Sequence, residues 1–270
     1  EAIIDIDPEV IIHLAAQPLV RESYLDPVGT FTTNVVGTLN VLESAKNLLD
    51  LKASLIVTTD KVYKNFGQLK GYTETDQLGG DDPYSASKAA ADLATQSWVK
   101  SFANSPISIA RAGNVIGGGD WATDRIIPDL VEAFSLGKKP IIRYPNSIRP
   151  WQHVLDCLNG YQMLVNHMLI NKQGGVWNFG PQFDAKYTVS ELVIEFGKAW
   201  GLDSVDFEVA QGAQPPESNL LLLDSTKSKT MLGWEDKLNF KECLKFTADW
   251  YKNFEDQGIL LLMERQIKDF

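Results

Sequence analysis

Three short apolar runs, set between stretches of helical periodicity, constrain this chain most. Val10-Ile-Ile-His-Leu-Ala-Ala16, Ser54-Leu-Ile-Val-Thr58 and Ile107-Ser-Ile-Ala110 carry almost no polar interruption. Runs of this length read as strands buried on both faces, as in a parallel sheet, and fall far short of a bilayer span. Between the first two, apolar residues recur at Val28, Phe31, Val35, Leu39, Leu42 and Ala45, which predicts a helix over Pro27–Leu49. Pro83–Phe102 reads as a second helix, with Asp81 or Asp82 as N-cap and Pro83 in the first turn. Strand, helix, strand, helix, strand is the order of a parallel α/β sheet, because parallel strands need helical crossovers.

After Gly119 the rhythm changes. Helices are expected at Ile126–Leu136, Val154–Met168, Ser190–Trp200 and Phe240–Met263, separated by Gly, Pro and Asn-rich stretches at Arg143–Pro150, Asn178–Phe183 and Gly212–Ser218. This implies a smaller C-terminal lobe over 119–270, interleaved with the sheet of 1–118. No G-x-G-x-x-G turn occurs. Gly117-Gly-Gly119 follows a strand but comes late and lacks the third spaced glycine. The chain is therefore expected to enter a dinucleotide-binding half part-way, without the segment that grips a pyrophosphate.

The formal net charge of −10 excludes a general nucleic-acid binder, which needs a basic face, whereas the six Arg are scattered. It does not exclude an anionic small molecule held by a local Arg cluster. Cys157 and Cys243 form no disulfide framework, and His13, His153 and His167 show no ligand spacing, so no metal is expected. No basic-then-apolar leader opens the sequence, and the expectation is a soluble, cytoplasmic protein.

Two segments carry chemistry. Tyr84 and Lys88 stand one helical turn apart on one face, where an ammonium favours the phenolate of a general base. With 8 Tyr and 19 Lys in 270 residues, about half a match arises by chance, and an exposed helix pair has the same spacing. Thr58-Thr59-Asp60-Lys61 supplies a second observation. It ends a predicted parallel strand 24 residues earlier, at the end where such sheets bind ligands. A plain strand-to-turn junction reads the same way in isolation.

Five motifs, in order, carry a resemblance. His13-Leu-Ala-Ala-Gln17 resembles the strand and turn near the nicotinamide in extended short-chain dehydrogenases/reductases, and Asn34-Val-Val-Gly-Thr38 resembles their central helix. Tyr84-x-x-x-Lys88 resembles their catalytic pair. Arg111-Ala-Gly-Asn-Val-Ile-Gly117 resembles the loop whose Asn meets the substrate pyrophosphate, and Arg149-Pro-Trp-Gln-His-Val154 the segment whose Arg meets the nucleotide. The chain is identified as a member of this family, in its sugar-nucleotide dehydratase and epimerase division. Thr59-Asp60-Lys61, Gln17-Pro-Leu-Val-Arg21, Gly117-Gly-Gly-Asp-Trp121, Asp124-Arg125-Ile-Ile-Pro128 and Arg149-Pro-Trp151 are similar to the CDP-glucose 4,6-dehydratase branch, whereas dTDP-glucose and GDP-mannose branches place Glu after the Asp. Pro215-Pro-Glu217 departs from that branch, where His is expected before Glu.

The resemblance implies a Rossmann-like doubly wound parallel sheet lacking its first βα units, with a substrate-binding lobe. It implies NAD as cofactor, met by Ala15, Ala16, Gln17, Asn34, Thr58, Tyr84 and Lys88. It implies CDP-glucose as substrate, met by Arg21, Asn114, Arg125, Arg143 and Arg149, the last three clustered around one anionic site. Tyr84 takes the proton of the 4-hydroxyl, Thr59 orients it, and Asp60 protonates the departing 6-hydroxyl. Lys61 either acts as a base at C5 or polarises a water or the enolate. A homodimer through Pro27–Leu49 and Pro83–Phe102 and a role in deoxysugar biosynthesis for lipopolysaccharide O-antigen are further implications. Another nucleotide-sugar 4,6-dehydratase, a 4-epimerase, or a non-catalytic remnant are the alternatives.

Overall fold

A computed structural model describes residues 2–181, 186–212 and 220–270. Pro215-Pro-Glu217 lies outside the described residues. The chain divides into two compact units: 1–113, 159–179 and 222–234 make the first, and 114–158, 180–221 and 235–270 the second.

The first unit is built on a parallel sheet in the order Val10–His13, Ala53–Val57, Ile107–Ala112, Gly175–Phe179. Every residue of Ile107–Ala112 is buried, as are Ala53–Ile56, which is why these strands read as unbroken apolar runs. The Rossmann-like α/β class expected from the sequence is borne out. The second and third strands differ from their apolar runs by one or two residues, and two elements differ by more. The first strand stops at His13, and Leu14–Ala16 leave regular structure, freeing their backbone at the strand's C-terminal end. The expected helix Pro27–Leu49 is present as Pro27–Phe31, a π-helical stretch Thr32–Val36, and Gly37–Lys46. The Pro83–Phe102 helix lies where its signals placed it. Asp82 caps it, accepting from the Ser85 N–H at 2.9 Å, and Pro83 sits in the first turn, where a missing N–H costs nothing. Leu42, Ile56 and Ile107 are packed together, with Trp98 and Ala103 against them.

The second unit packs helices Ile126–Ser135, Val189–Trp200 and Phe240–Gln257 around Leu130, Phe134, Leu192, Phe196, Leu244 and Trp250. Thr188 and Asn239 each form a capping box with the Glu three residues on. The predicted single helix Phe240–Met263 is two helices, Phe240–Gln257 and Ile259–Asp269. Gly258 separates them at φ +78°, a conformation that ends an α-helix and that glycine adopts without a Cβ clash. Among the described residues no helix is long and apolar enough to cross a membrane, and no group of three His, Cys, Asp or Glu is placed to hold a metal.

Candidate active site

The Ala53–Val57 strand delivers Thr58, Thr59 and Asp60 to its C-terminal end, all buried. Thr59 caps a single 3-10 turn, Asp60–Val62, accepting from the Lys61 N–H at 3.4 Å, and its hydroxyl donates to Asp60 Oδ1 at 2.9 Å. Gly113 ends the neighbouring strand segment so close to this turn that a Cβ there would stand 2.4 Å from Asp60 Oδ2. A glycine is required for that approach. Lys61 is half-buried on the same turn.

Tyr84 and Lys88 occupy the buried face of the Pro83–Phe102 helix. Lys88 Nζ donates to the Val57 carbonyl at 3.1 Å, which joins the helix to the strand end immediately before Thr58. Burial lowers the Lys88 pKa to about 8, against the opposing charge of Asp92. The ammonium also acts outward: His13, lowered first by its own burial, is lowered further by Lys88. Tyr84 is anchored through its backbone, whose N–H donates to Ser23 Oγ at 3.1 Å.

The segment after the first strand is fixed by Asn34. Its amide accepts from the Gln17 N–H at 2.8 Å and donates to the Gln17 carbonyl at 3.1 Å and to Ser87 Oγ at 2.8 Å. Ser87 in turn donates to the Tyr84 carbonyl at 2.7 Å. Asn34 sits in the π-helical stretch, which breaks the regular advance of side chains around the helix. The structure thus brings Gln17, Asn34 and the Tyr84 helix into one buried network, with Ala15 and Ala16 in the segment it holds. Arg21 is half-buried on the short helix Val20–Leu25.

Sequence reasoning gave no role to a second network beneath the site. Asp92, one turn beyond Lys88, is fully buried and takes a bidentate contact from Arg111, Nε to Oδ2 and Nη2 to Oδ1, both at 2.8 Å. Thr58 Oγ1 donates to the same Oδ2 at 3.2 Å. Arg111 Nη1 donates to the Tyr63 hydroxyl at 2.9 Å, which donates to Asn178 Oδ1 at 2.7 Å. Burial alone lowers the Arg111 pKa, but the Asp92 bonds and charge reverse this and raise it; burial raises Tyr63. The signal available in the sequence was a charge, Arg111, inside an otherwise apolar strand, since a buried charge requires a partner.

In the second unit Asn114 takes φ +37°, unusual for a residue with a Cβ, and its carbonyl accepts from the Gln152 N–H at 3.3 Å. Arg143 donates to Asp124 Oδ1 at 2.7 Å and to the Asp124 carbonyl at 2.8 Å, and Arg125 reaches Asp120 at 3.4 Å. Both are half-buried and bonded to carboxylates. Arg149 is buried, with Nη1 donating to the Ile148 carbonyl at 2.9 Å. His153 is buried with its pKa lowered to about 4 by desolvation, so it is a neutral ring at pH 7.

A family model described as GDP-mannose 4,6 dehydratase matches residues 1–247. The chain belongs to this family. The membership expected from the motifs is therefore borne out. CDP-glucose 4,6-dehydratase of Salmonella typhimurium is 39% identical over 280 residues, covering 100% of this chain and 78% of that protein. The dTDP-glucose 4,6-dehydratase 1 of Escherichia coli is 28% identical over 90% of this chain and 72% of its own length. Among solved structures, the dTDP-glucose 4,6-dehydratase of Bacillus anthracis in complex with NAD superposes with a TM-score of 0.79 at 27% identity, over 94% of this chain and 76% of that one. UDP-glucose 4-epimerase of Thermotoga maritima has a TM-score of 0.82 at 22% identity, over 94% and 81%, a likeness of fold.

Proposed function

We propose that this protein is a lyase that converts CDP-glucose to CDP-4-keto-6-deoxyglucose by NAD-mediated internal hydride transfer. The observation that carries the reading is the Tyr84–Lys88 helix pair joined through Lys88 to the strand end that bears Thr58, Thr59 and Asp60. The 39% identity to a CDP-glucose 4,6-dehydratase over the whole chain supports CDP as the nucleotide and glucose as the sugar.

The donor set fits NAD at its nicotinamide-ribose end. Among the described residues Lys88 Nζ donates only to the Val57 carbonyl, which leaves ammonium hydrogens for a ribose diol. Gln17 and Asn34 hold the segment of Ala15 and Ala16 at the C-terminal edge of the sheet, where such folds seat a dinucleotide, and Thr58 closes the same edge. NAD, when bound, supplies reversible hydride acceptance, from C4 first and back to C6 last. The rest falls to the chain's own groups. Tyr84 removes the proton of the 4-hydroxyl, Lys88 stabilises its phenolate, and Thr59 orients the hydroxyl. The 4-ketone acidifies C5–H. Asp60 gives a proton to the 6-hydroxyl, which departs as water. Lys61 serves as the base that takes the C5 proton and returns it once C6 is reduced, or polarises the enolate or a water that carries that proton. Asn114, Arg149, Arg125, Arg143 and Arg21 meet the diphosphate and nucleotide, with Arg125 and Arg143 exchanging Asp120 and Asp124 for phosphate oxygens. Incubation with CDP-, dTDP-, UDP- and GDP-hexoses tests the reading. A 4-keto-6-deoxy product from CDP-glucose supports it, and C4 inversion alone replaces it with epimerisation.

We also infer a homodimer, with a second copy meeting the helices Pro27–Phe31, Gly37–Lys46 and Pro83–Phe102. Phe31, Leu93, Val99 and Phe102, all on these helices, are exposed apolar side chains. A monomer in sedimentation equilibrium at micromolar concentration refutes it. We infer further a role in deoxysugar biosynthesis, of the kind that feeds lipopolysaccharide O-antigen, and a cytoplasmic location.

A further inference from the structure

Tyr84, Lys88 and Asp92 stand at i, i+4 and i+8 on the Pro83–Phe102 helix, on one buried face. The first two belong to the proposed chemistry; Asp92 touches none of the reacting groups. Its two oxygens are nonetheless fully used. Oδ1 takes Arg111 Nη2 and the Gln96 amide at 2.7 Å; Oδ2 takes Arg111 Nε and the Thr58 hydroxyl. Thr58 follows Val57, whose carbonyl receives Lys88, and precedes Thr59 and Asp60. Helix and strand are therefore tied at two consecutive residues by two consecutive turns of the helix. Arg111 is equally committed, to Asp92, to the Tyr63 hydroxyl and, at 3.2 Å, to the Glu74 carbonyl.

We propose that Asp92, gripped by Arg111, is the positioning residue of the proton-transfer site: it fixes the register of Tyr84 and Lys88 against the strand end bearing Thr58, Thr59 and Asp60, and sets a carboxylate one turn from the Lys88 ammonium. A pair serving only to fill the core would have no reason to spend one oxygen on Thr58. Burial disfavours the charged form of Lys88, and Asp92 is the group that opposes it. Of the other groups near the ammonium, His13 of the first strand feels its charge, Tyr84 stands one turn before it on the same buried face, and Arg111 is held on Asp92.

The inference rests on the dehydratase reading, but its electrostatic half is read without turnover. Removing one partner alone would strand a buried charge, so the informative variant is Asp92→Asn/Arg111→Met, which removes both. The Lys88 titration is read by NMR on lysine-labelled protein, with its resonance assigned by loss in Lys88→Met. The midpoint is expected to fall below wild type, because Asp92, the charge that opposes the effect of burial on Lys88, is gone. The alkaline limb of kcat should move down with it while KM stays put. A folded double variant with an unmoved Lys88 midpoint overturns the electrostatic half of the proposal. Asp92→Glu keeps the charge and Arg111 but lengthens the tie to Thr58. It should keep the Lys88 midpoint near wild type and lower kcat about tenfold or more through misplacement. Wild-type kcat in Asp92→Glu overturns the register half, whether or not the double variant folds. If no nucleotide sugar is turned over yet the Lys88 midpoint falls in the double variant, the function reading fails and the electrostatic coupling stands.

Discussion

Lys88→Met should make the protein more stable at neutral pH while abolishing its proposed activity. In the folded chain the Lys88 pKa lies at about 8, against an ordinary 10.5. Below pH 8 the side chain is an ammonium both folded and unfolded, and the folded state carries the desolvation cost. A fall from 10.5 to about 8 corresponds to about 3 kcal/mol. Between pH 8 and 10.5 the folded side chain is neutral while the unfolded one is still protonated. The unfolded state then binds more protons, and wild-type stability rises with pH. Methionine carries no charge and takes no part in that rise. It also gives up the bond to the Val57 carbonyl, which returns about 1 kcal/mol. The variant should therefore lead wild type by about 2 kcal/mol at pH 7 and have no lead left near pH 10. Urea unfolding of both proteins at the two pH values, followed by circular dichroism, measures it, and the titration of other groups cancels in the difference. A variant less stable than wild type at pH 7, or a difference of equal size at both pH values, would refute the reasoning. A lysine that costs stability on the buried face of a helix is kept for chemistry and not for folding.

Tyr84→Phe should cut kcat by about 10²–10⁴-fold and leave NAD binding nearly intact, since only the general base is lost; steady-state rates and a cofactor titration check both halves. Asp60→Asn should separate the half-reactions, because oxidation at C4 needs no acid at the 6-hydroxyl: NADH absorbance should accumulate with bound 4-keto-hexose, and dehydration at the normal rate removes Asp60 from the acid role. Gly113→Ala inserts a Cβ 2.4 Å from Asp60 Oδ2 and displaces that carboxylate. Its kcat should drop about 10²-fold, and wild-type turnover in a cooperatively folding variant would show that the approach does not set the position of Asp60.

The elements legible in the sequence are those in which local signals and burial agree. Pro83–Phe102 has a cap, a proline and an apolar face, and its bounds came out as read. Ala53–Val57 and Ile107–Ala112 are buried on both faces, so periodicity fails but continuity identifies them. The fourth strand, Gly175–Phe179, went unread because Asn178 interrupts its apolar run, and that residue is buried for its bonds: it donates to the Tyr72 carbonyl at 2.8 Å and the Asp224 carbonyl at 3.1 Å. The π-helical stretch at Thr32–Val36 and the break at Gly258 were unread for another reason. Helical spacing tolerates one irregular turn without losing its apolar stripe, and a lone glycine inside a helical pattern is ambiguous until its φ is known.

The site divides along a similar line. Residues proposed to act share short motifs, because a helix turn or a strand end brings them together: Tyr84 with Lys88, Thr58 with Thr59 and Asp60. Residues that position them are distant in sequence. Asp92 and Arg111 are 19 apart, Tyr63 and Asn178 115 apart, and Asn34 and Ser87 53 apart. No spacing rule finds such pairs, but a partner rule narrows them. Arg111 lies on a strand every residue of which is buried, so an unpaired guanidinium there would be very costly, and some carboxylate had to lie within reach. The Pro83–Phe102 helix carries one carboxylate on its buried face, and it stands in register with Tyr84 and Lys88. Searching for the partner that a buried charge requires therefore leads from a strand residue with no assigned role back to the helix of the proposed catalytic pair.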